Sequence, residues 1–542
     1  MKRNGMCPVC FLKQLFTKTQ SVTDLYTAKP YPATITAPPM GWSSWNTFKN
    51  KINEKLIYEQ AVAMKEKGLA EAGYTYINLD DNWHSSLRDE YGKLQGDLAT
   101  FAGGIPALVK KINALGLKVG IYSSNGTETC EDLPASLYHE QTDADTFAEW
   151  GIEYFKYDFC HNIKLSQYAP LLYGISVAKK GSSEETFYPA SAAKLEGLAR
   201  FMPVSGKPFD KYIGGLDRNS GACTFDVEVP EGGEYVLTLN VFKKGRYTKC
   251  AMAIINGADE YWIETPSQKK WNDTARFQMV VTLSAGKNSV KIFNPIKVRA
   301  DSAMLQYRKM GQCLIKAAEK VAKANNTEPK YITFSLCEWG VNSPHKWGAT
   351  AGNLWRTTPD IRPIWKWMMF IYSRNVIRYK YSSVGHYNDP DMLEVGNGKL
   401  TYDENYAHFA TWCMMAAPLI LGNDLRTMPD NVLKIITDKK LIAIDQDPLG
   451  KAAKRVKKGS ADVLARPLSD GTVAVCFFNK AGGKKRLSID FAALVNDEYV
   501  QLPKASEYAV TDVTDGTEFA SSDGIACTVR KHAAKVYIVK AK

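Results

Sequence analysis

From about residue 37 the chain alternates amphipathic helices with short buried strands, and this rhythm limits the available folds more than any other feature. Leu56, Ile57, Ala61 and Met64 recur at helical spacing, and Gly68 stands where such a helix would stop. Tyr74–Asp80 then reads as a buried strand. Ile105, Leu108, Val109, Ile112 and Leu115 repeat the helical pattern up to Gly116, and Lys118–Ser123 repeats the strand. A helix near Ala144–Trp150 leads into a strand over Ile152–Asp158. Alternation at this length predicts parallel βα units. Strand-like pieces at Tyr331–Cys337, His386–Asn388 and Pro418–Gly422 extend the series toward eight, the number that closes a (β/α)8 TIM barrel.

The rhythm is interrupted once. About 170 residues separate the strand ending at Asp158 from the one at Tyr331, far more than a crossover helix needs. Cys223–Val229, Glu234–Asn240 and Ser289–Phe293 in that stretch alternate apolar and polar residues between Gly-containing turns. After about residue 451 the same pattern returns at Asp462–Ala465, Thr472–Phe478 and Lys535–Val539. The expected fold class is therefore α/β. A leader spans 1–36, a discontinuous barrel 37–164 and 304–450, an inserted all-β sandwich 165–303, and a C-terminal antiparallel β-sandwich 451–542.

At 542 residues the chain exceeds one hydrophobic core, which agrees with several domains. The net charge of +12 comes largely from dispersed Lys, without a basic stripe interleaved with aromatics, so a solvated surface is expected and no nucleic-acid partner. No run reaches the roughly 18 apolar residues of a membrane span. The stretch after Met1-Lys2-Arg3 is broken by Lys13 and Gln14 and lacks a small-residue cleavage site, which makes a cytoplasmic location the expectation. Eleven cysteines leave at least one thiol outside intrachain pairs, and Cys7-Pro8-Val9-Cys10 is a lone C-x-x-C without a second ligand pair.

The functional signal lies where acidic residues meet the strand ends. Asp80 and Asp81 end one predicted strand, Tyr122 lies near the end of the next, and Asp158 ends a third. Glu338 follows another, and Arg356, Asp360, Asp389 and Asp391 stand in later segments of the same kind. In a barrel all strand C-termini meet at one mouth, where active sites sit. Each residue also has a plainer role. Asp360 and Asp391 lie beside prolines and could cap helices, and Asp80-Asp81 could answer a helix dipole. Their joint placement favours function, because carboxylates gathered in a cleft are costly to ionise. No zincin, phosphate-loop, dinucleotide or nucleophile-elbow motif is present, and the seven His are scattered. Carboxylate catalysis without a metal or cofactor is what remains, and paired carboxylates are the usual means of breaking glycosidic bonds.

Met40-Gly-Trp-Ser-Ser-Trp-Asn46, Leu79-Asp-Asp-Asn-Trp83, Lys156-Tyr-Asp158, Cys337-Glu-Trp339, Asn388-Asp-Pro-Asp-Met392 and Asp445-Gln-Asp-Pro-Leu449 occur in this order. Together they resemble the α-galactosidases of glycoside hydrolase family 27 over about 37–164 and 304–470, and more weakly beyond. The resemblance implies a retaining exo-glycosidase for terminal α-D-galactose, with Asp158 as nucleophile and Asp360 as acid/base, roughly 5–5.5 Å apart. It assigns Asp80 and Asp81 to O4 and O6 of the sugar, Lys156 to O3 or O4 and to keeping Asp158 ionised, and Arg356 to O2 or O3. Asp391, Tyr122 and the aromatic wall of Trp45 complete the pocket. Cys130 and Cys160 align with a disulfide beside the nucleophile, whose state the sequence leaves open. Tyr387 stands where relatives often carry Trp and is expected to keep an aromatic surface.

Within the family, a Glu at 338 is expected to face O2 and leave no room for a 2-acetamido group, which argues against an N-acetylgalactosaminidase. Two Asp residues at 80 and 81 disfavour a β-L-arabinopyranosidase. A silent lectin is a third reading, opposed by the intact Asp158 and Asp360. The insert resembles a carbohydrate-binding module, with Tyr261, Trp262 and Trp271 as candidate contacts, and a purely architectural insert is an equal reading. The expected partner is an α-galactoside, with a homo-oligomer as a further expectation.

Overall fold

The computed structural model describes residues 30–243, 248–265 and 273–542. Cys7, Cys10 and Trp271 lie outside them, as does the leader up to residue 29. Residues Lys164–Ala303 form one compact unit; the chain from residue 30 to Ile163, together with Met304–Lys542, forms another.

The second of these is built on eight parallel strands: β1 Met40–Ser43, β2 Tyr76–Asn78, β3 Lys118–Ser124, β4 Tyr154–Asp158, β5 Thr333–Leu336, β6 Leu354–Arg356, β7 Tyr387–Asp389 and β8 Leu419–Leu421. They pair in the order β7-β6-β5-β4-β3-β2-β1-β8. Each strand thus lies beside its neighbour in sequence, and β8 returns to β1. Just past β7, a parallel bridge joins Leu393 to Leu421 of β8. Nearly every strand residue is buried, as expected for strands covered on both faces.

Helices α1 Glu54–Glu66, α2 Ile105–Asn113, α3 Glu140–Glu149, α4 Arg299–Asn325, α5 Trp365–Asn375 and α6 Tyr402–Met414 supply the alternation. Their ends follow local chemistry. Asn53 accepts the Leu56 N–H ahead of α1, and Thr401 with Glu404 forms a capping box on α6. The apolar positions Ile105, Leu108, Val109 and Ile112 of α2 are all buried, as their spacing predicts. Strict alternation fails between β5 and β6, where two 3-10 turns, Pro344–Lys346 and Gly348–Thr350, take the place of an α-helix.

The predicted strands are longer than the observed ones, and the functional residues fall just beyond the ladders. β2 stops at Asn78 rather than Asp80, where the Asp80 N–H donates to Ser44 Oγ at 3.0 Å. Tyr387 does not present a surface: its ring is fully buried and its hydroxyl donates to the Thr36 carbonyl at 3.1 Å.

From Lys454 the chain forms a six-stranded antiparallel sheet and a two-stranded one, packed around Val475, Phe477, Phe491, Val510 and Val539. Arg466, fully buried, ties this region to the parallel-sheet region by donating to the carbonyls of Cys413 (2.5 Å) and Asp445 (3.1 Å).

The Lys164–Ala303 unit contains a five-stranded and a six-stranded antiparallel sheet. Its strand Gly221–Val229 alternates buried and exposed residues toward its end, and Phe225, Leu237, Leu239, Val290 and Ile292 contribute to its core. Tyr261 packs against that core with its hydroxyl accepting the Thr282 N–H at 2.9 Å, which gives the ring a structural task. Trp262 is half-buried.

Candidate active site

The strands position the site because parallel alignment brings every strand C-terminus to one end. Asp80 and Asp81 follow β2, Tyr122 lies in β3, and Lys156 and Asp158 in β4. Cys337 and Glu338 follow β5, Arg356 ends β6, and Asp391 follows β7. Asp80, Lys156, Arg356 and Asp391 line one cavity together with Ser43, Cys337 and Asp389.

Asp158 is 5% exposed. The Phe159 N–H donates to its Oδ1 at 2.9 Å, and the Tyr122 hydroxyl to Oδ2 at 3.2 Å. Burial pushes its carboxyl up, and the nearby charges of Asp360 and Asp80 add to the rise; the Lys156 ammonium and the Phe159 amide oppose it. Lys156 itself pairs with Asp80 Oδ2 at 2.9 Å rather than directly with the nucleophile candidate. Burial alone would lower this lysine, but Asp80, Cys337 and Asp158 hold it above its usual range. The structure joins Cys130 to Cys160, and the Cys130 sulfur lies 3.9 Å from Asp158 Oδ2. A thiol state is thereby replaced by a covalent wall beside the carboxylate.

Asp80 also accepts from Ser43 Oγ at 3.2 Å. Asp81 accepts the N–H groups of Asn82 (2.8 Å) and Glu131 (3.1 Å), and burial pushes it up to about 6. Two carboxylates held by backbone amides beside one ammonium can accept several hydroxyl hydrogen bonds while staying fixed in place.

On the opposite side Arg356 serves two carboxylates. It lies 2.7 Å from Asp391 Oδ2 and 3.0 Å from Asp360 Oδ1. Asp391 is buried and stands in the left-handed region (φ 84°), which directs its carboxylate onto the N–H groups of Ile361 and Met392, each at 2.7 Å. Burial pushes Asp391 up to about 6 despite Arg356. Asp360 differs from the rest: its side chain is 66% exposed. What burial it has would raise it, but Arg356, Lys156 and Lys49 outweigh that and hold it below its ordinary value.

Glu338 and Trp45 are each held by neighbours of their own. Glu338 is fully buried and turns its carboxylate into its own loop, where it accepts from the Asn342 N–H (2.7 Å) and Asn342 Nδ2 (2.8 Å). These bonds fix the carboxylate within its turn. Trp45 lies half-buried in a four-residue helix, Trp45–Phe48, with the Lys49 ammonium 5.0 Å from its ring centroid. Lys49 and Ser43 were not singled out by the sequence, whereas Asp389 was named among the strand-end acids. Only Asp389, two positions before Asp391, carried a signal, and it acts as a support by accepting the Asp391 N–H at 2.7 Å.

A family model described as alpha galactosidase A matches residues 37–188 and 300–447, and one described as the alpha galactosidase C-terminal beta sandwich domain matches 458–539. The chain is 31% identical over 460 residues to α-galactosidase 2 of Arabidopsis thaliana, covering 84% of this chain and 79% of that one. It is 30% identical over 505 residues to the α-galactosidase of Cyamopsis tetragonoloba, covering 93% and 86%. The solved structure of the Saccharomyces cerevisiae α-galactosidase with raffinose superposes with a TM-score of 0.63 at 21% identity, over 94% of this chain and all of that one. With strand-end carboxylates in one cavity and relatives matched over most of its length, the chain belongs to the melibiase-type α-galactosidase family, glycoside hydrolases that remove terminal α-galactosyl residues.

Proposed function

We propose that the protein is a retaining exo-glycosidase that cleaves terminal α-D-galactose by double displacement, on a (β/α)8 barrel carrying the Lys164–Ala303 unit as an insert. The observation that carries this reading is the contrast between the two carboxylates. Asp158 is buried and fixed by two donors, as a nucleophile beneath an anomeric carbon should be; Asp360 is mostly exposed, where a leaving group or water can meet it. In the first step Asp158 Oδ attacks C1 and the bond from C1 to the glycosidic oxygen breaks, while Asp360 gives that oxygen its proton. In the second, Asp360 takes a proton from water as the water oxygen displaces Asp158 from C1.

In the free protein burial and neighbouring charges bias the two carboxyls the other way, with Asp158 raised and Asp360 lowered. Substrate reverses this bias. Sugar hydroxyls that engage Arg356 compete with its contact to Asp360 and weaken the pull that keeps Asp360 ionised. A sugar ring above Asp158 places the developing positive charge of the anomeric carbon next to it, which favours the carboxylate. The Asp80–Lys156–Asp81 side reads the axial O4 that separates galactose from glucose. An oligosaccharide substrate is in keeping with the raffinose bound to the yeast relative.

Hydrolysis of p-nitrophenyl α-D-galactopyranoside followed by NMR tests the reading. Initial release of α-galactose by the wild type, lost in Asp158→Ala, is expected; initial release of the β-anomer, or no turnover, would overturn it. In the Lys164–Ala303 unit, Phe187, 47% exposed, and the stacked pair Tyr173–Phe209 form the better candidate sugar platform. Retardation of the protein in gels containing galactomannan, reduced by Phe187→Ala, is the corresponding test.

A further inference from the structure

The loop after β7 is fastened from below at three points. The Trp412 indole N–H donates to the Asp391 carbonyl (2.9 Å), His408 Nε2 accepts the Glu394 N–H (3.0 Å), and Asn405 Oδ1 accepts the Gly396 N–H (3.0 Å). Held this way on α6, the loop sends the Glu394 side chain toward the segment that follows β1. The Glu394 carboxylate is 3% exposed and takes one amide on each oxygen, with Asn46 Nδ2 on Oε1 at 2.9 Å and Asn397 Nδ2 on Oε2 at 2.6 Å. Burial pushes this carboxyl up to about 7, and Asp391 adds to the rise, while the two amides and Lys49 oppose it. A carboxyl buried at such cost, outside the carboxylates already assigned, calls for a task.

That task lies in Asn46. It belongs to Trp45–Phe48, a helix of four residues, which is too short to hold its shape without outside anchors. Two anchors are present: Thr47 Oγ1 donates to the Gly422 carbonyl at 2.6 Å, and Asn46 reaches Glu394. The segment borders the reaction centre, because it directly follows Ser43, whose Oγ donates to Asp80 Oδ2 at 3.2 Å, and Ser44, whose Oγ accepts the Asp80 N–H at 3.0 Å.

We infer that Glu394 is a positioning residue for galactoside binding: through Asn46 it fixes the Trp45–Lys49 segment, and with it the aromatic wall, against the site. A carboxylate suits this place because it is acceptor-only and can satisfy two amide donors at once, whereas a glutamine would set its own NH2 against one of them. The inference rests on the proposed galactosidase reading and on Trp45 as the sugar wall.

The test is steady-state kinetics with p-nitrophenyl α-D-galactopyranoside for the wild type, Asn46→Ala, Glu394→Gln, Glu394→Leu and the double variant Asn46→Ala/Glu394→Leu. Asn46→Ala, which removes one hydrogen bond to Glu394, should raise KM about tenfold, and Glu394→Leu, which also releases Asn397, at least as much, with kcat held within about twofold. Glu394→Gln, which keeps one acceptor, should fall between these and the wild type. The double variant should be no worse than the worse single one, because both changes remove the same contact. Wild-type KM in Asn46→Ala, additive effects in the double variant, or a fall in kcat at unchanged KM would each overturn the inference. Should Glu394→Leu fail to fold, Asn46→Ala and Glu394→Gln decide the question alone. Absence of turnover by the wild type would instead remove the galactosidase reading itself.

Discussion

The mouth at the C-terminal ends of the eight parallel strands and the Lys164–Ala303 unit treat charge differently. In the mouth, Asp80, Asp81, Asp158, Asp389 and Asp391 are each at most 8% exposed, and the cations among them are half-buried Lys156 and buried Arg356. In the other unit, ion pairs such as Lys194–Asp226 and Lys180–Glu234 join side chains that are each more than half exposed. Buried charges cost more to desolvate than their pairing returns, and exposed pairs are worth little in either direction. The mouth thus keeps a costly arrangement that stability alone would not select, whereas pairs such as these in the sheet unit serve solubility.

Substitutions should separate the two regions sharply. Asp158→Ala removes the group proposed to attack the sugar, and kcat on an aryl α-galactoside should fall at least about 10⁴-fold while the melting temperature holds or rises. A large loss of stability with modest loss of turnover would make Asp158 a structural residue and break the contrast. Arg356→Met leaves Asp391 buried without its cation, which should destabilise the fold by about 3–5 kcal/mol in urea unfolding.

Asp81→Asn sharpens the comparison, since it should improve stability while harming binding. The carboxyl is raised from 3.8 to about 6, so the folded protein favours the proton. That preference is fully present below pH 4 and lost as pH rises through about 6, so at pH 8 the ionised form is a net cost. Asparagine should recover about 1–3 kcal/mol at pH 8 and nothing at pH 3.5. In the wild type, KM should climb as pH falls through about 6 and the acceptor becomes protonated. Equal stability of the two proteins at pH 8 would show that the charge is compensated. The smallest effect belongs to Lys194→Ala, which should change stability by less than about 0.5 kcal/mol and leave kinetics unaltered.

Much of this was legible in the chain because strands and helices announce themselves by period. The α2 stripe Ile105, Leu108, Val109 and Ile112 is buried as read, and the acidic residues do gather at the C-terminal ends of parallel strands. The strand limits were overread, since Asp80 and Cys337 look continuous with the apolar run before them. Their places are set by neighbours such as Ser44 Oγ and the Tyr157 carbonyl, which no local pattern reveals. How Glu338 is held was not legible for a related reason: its bonds to Asn342 form only once the turn after the strand has closed.

By itself the sequence determined the order of elements, the family, and which residue types stand at the strand ends, because each is written in spacing a few residues long. Tertiary structure decided how charge is shared: Lys156 binds Asp80 rather than Asp158, Arg356 divides itself between Asp360 and Asp391, and Glu394 reaches Asn46 across 348 positions of chain. Hydrogen bonds and Coulomb forces act over a few ångströms of space, and only the folded barrel makes residues so distant in sequence into neighbours.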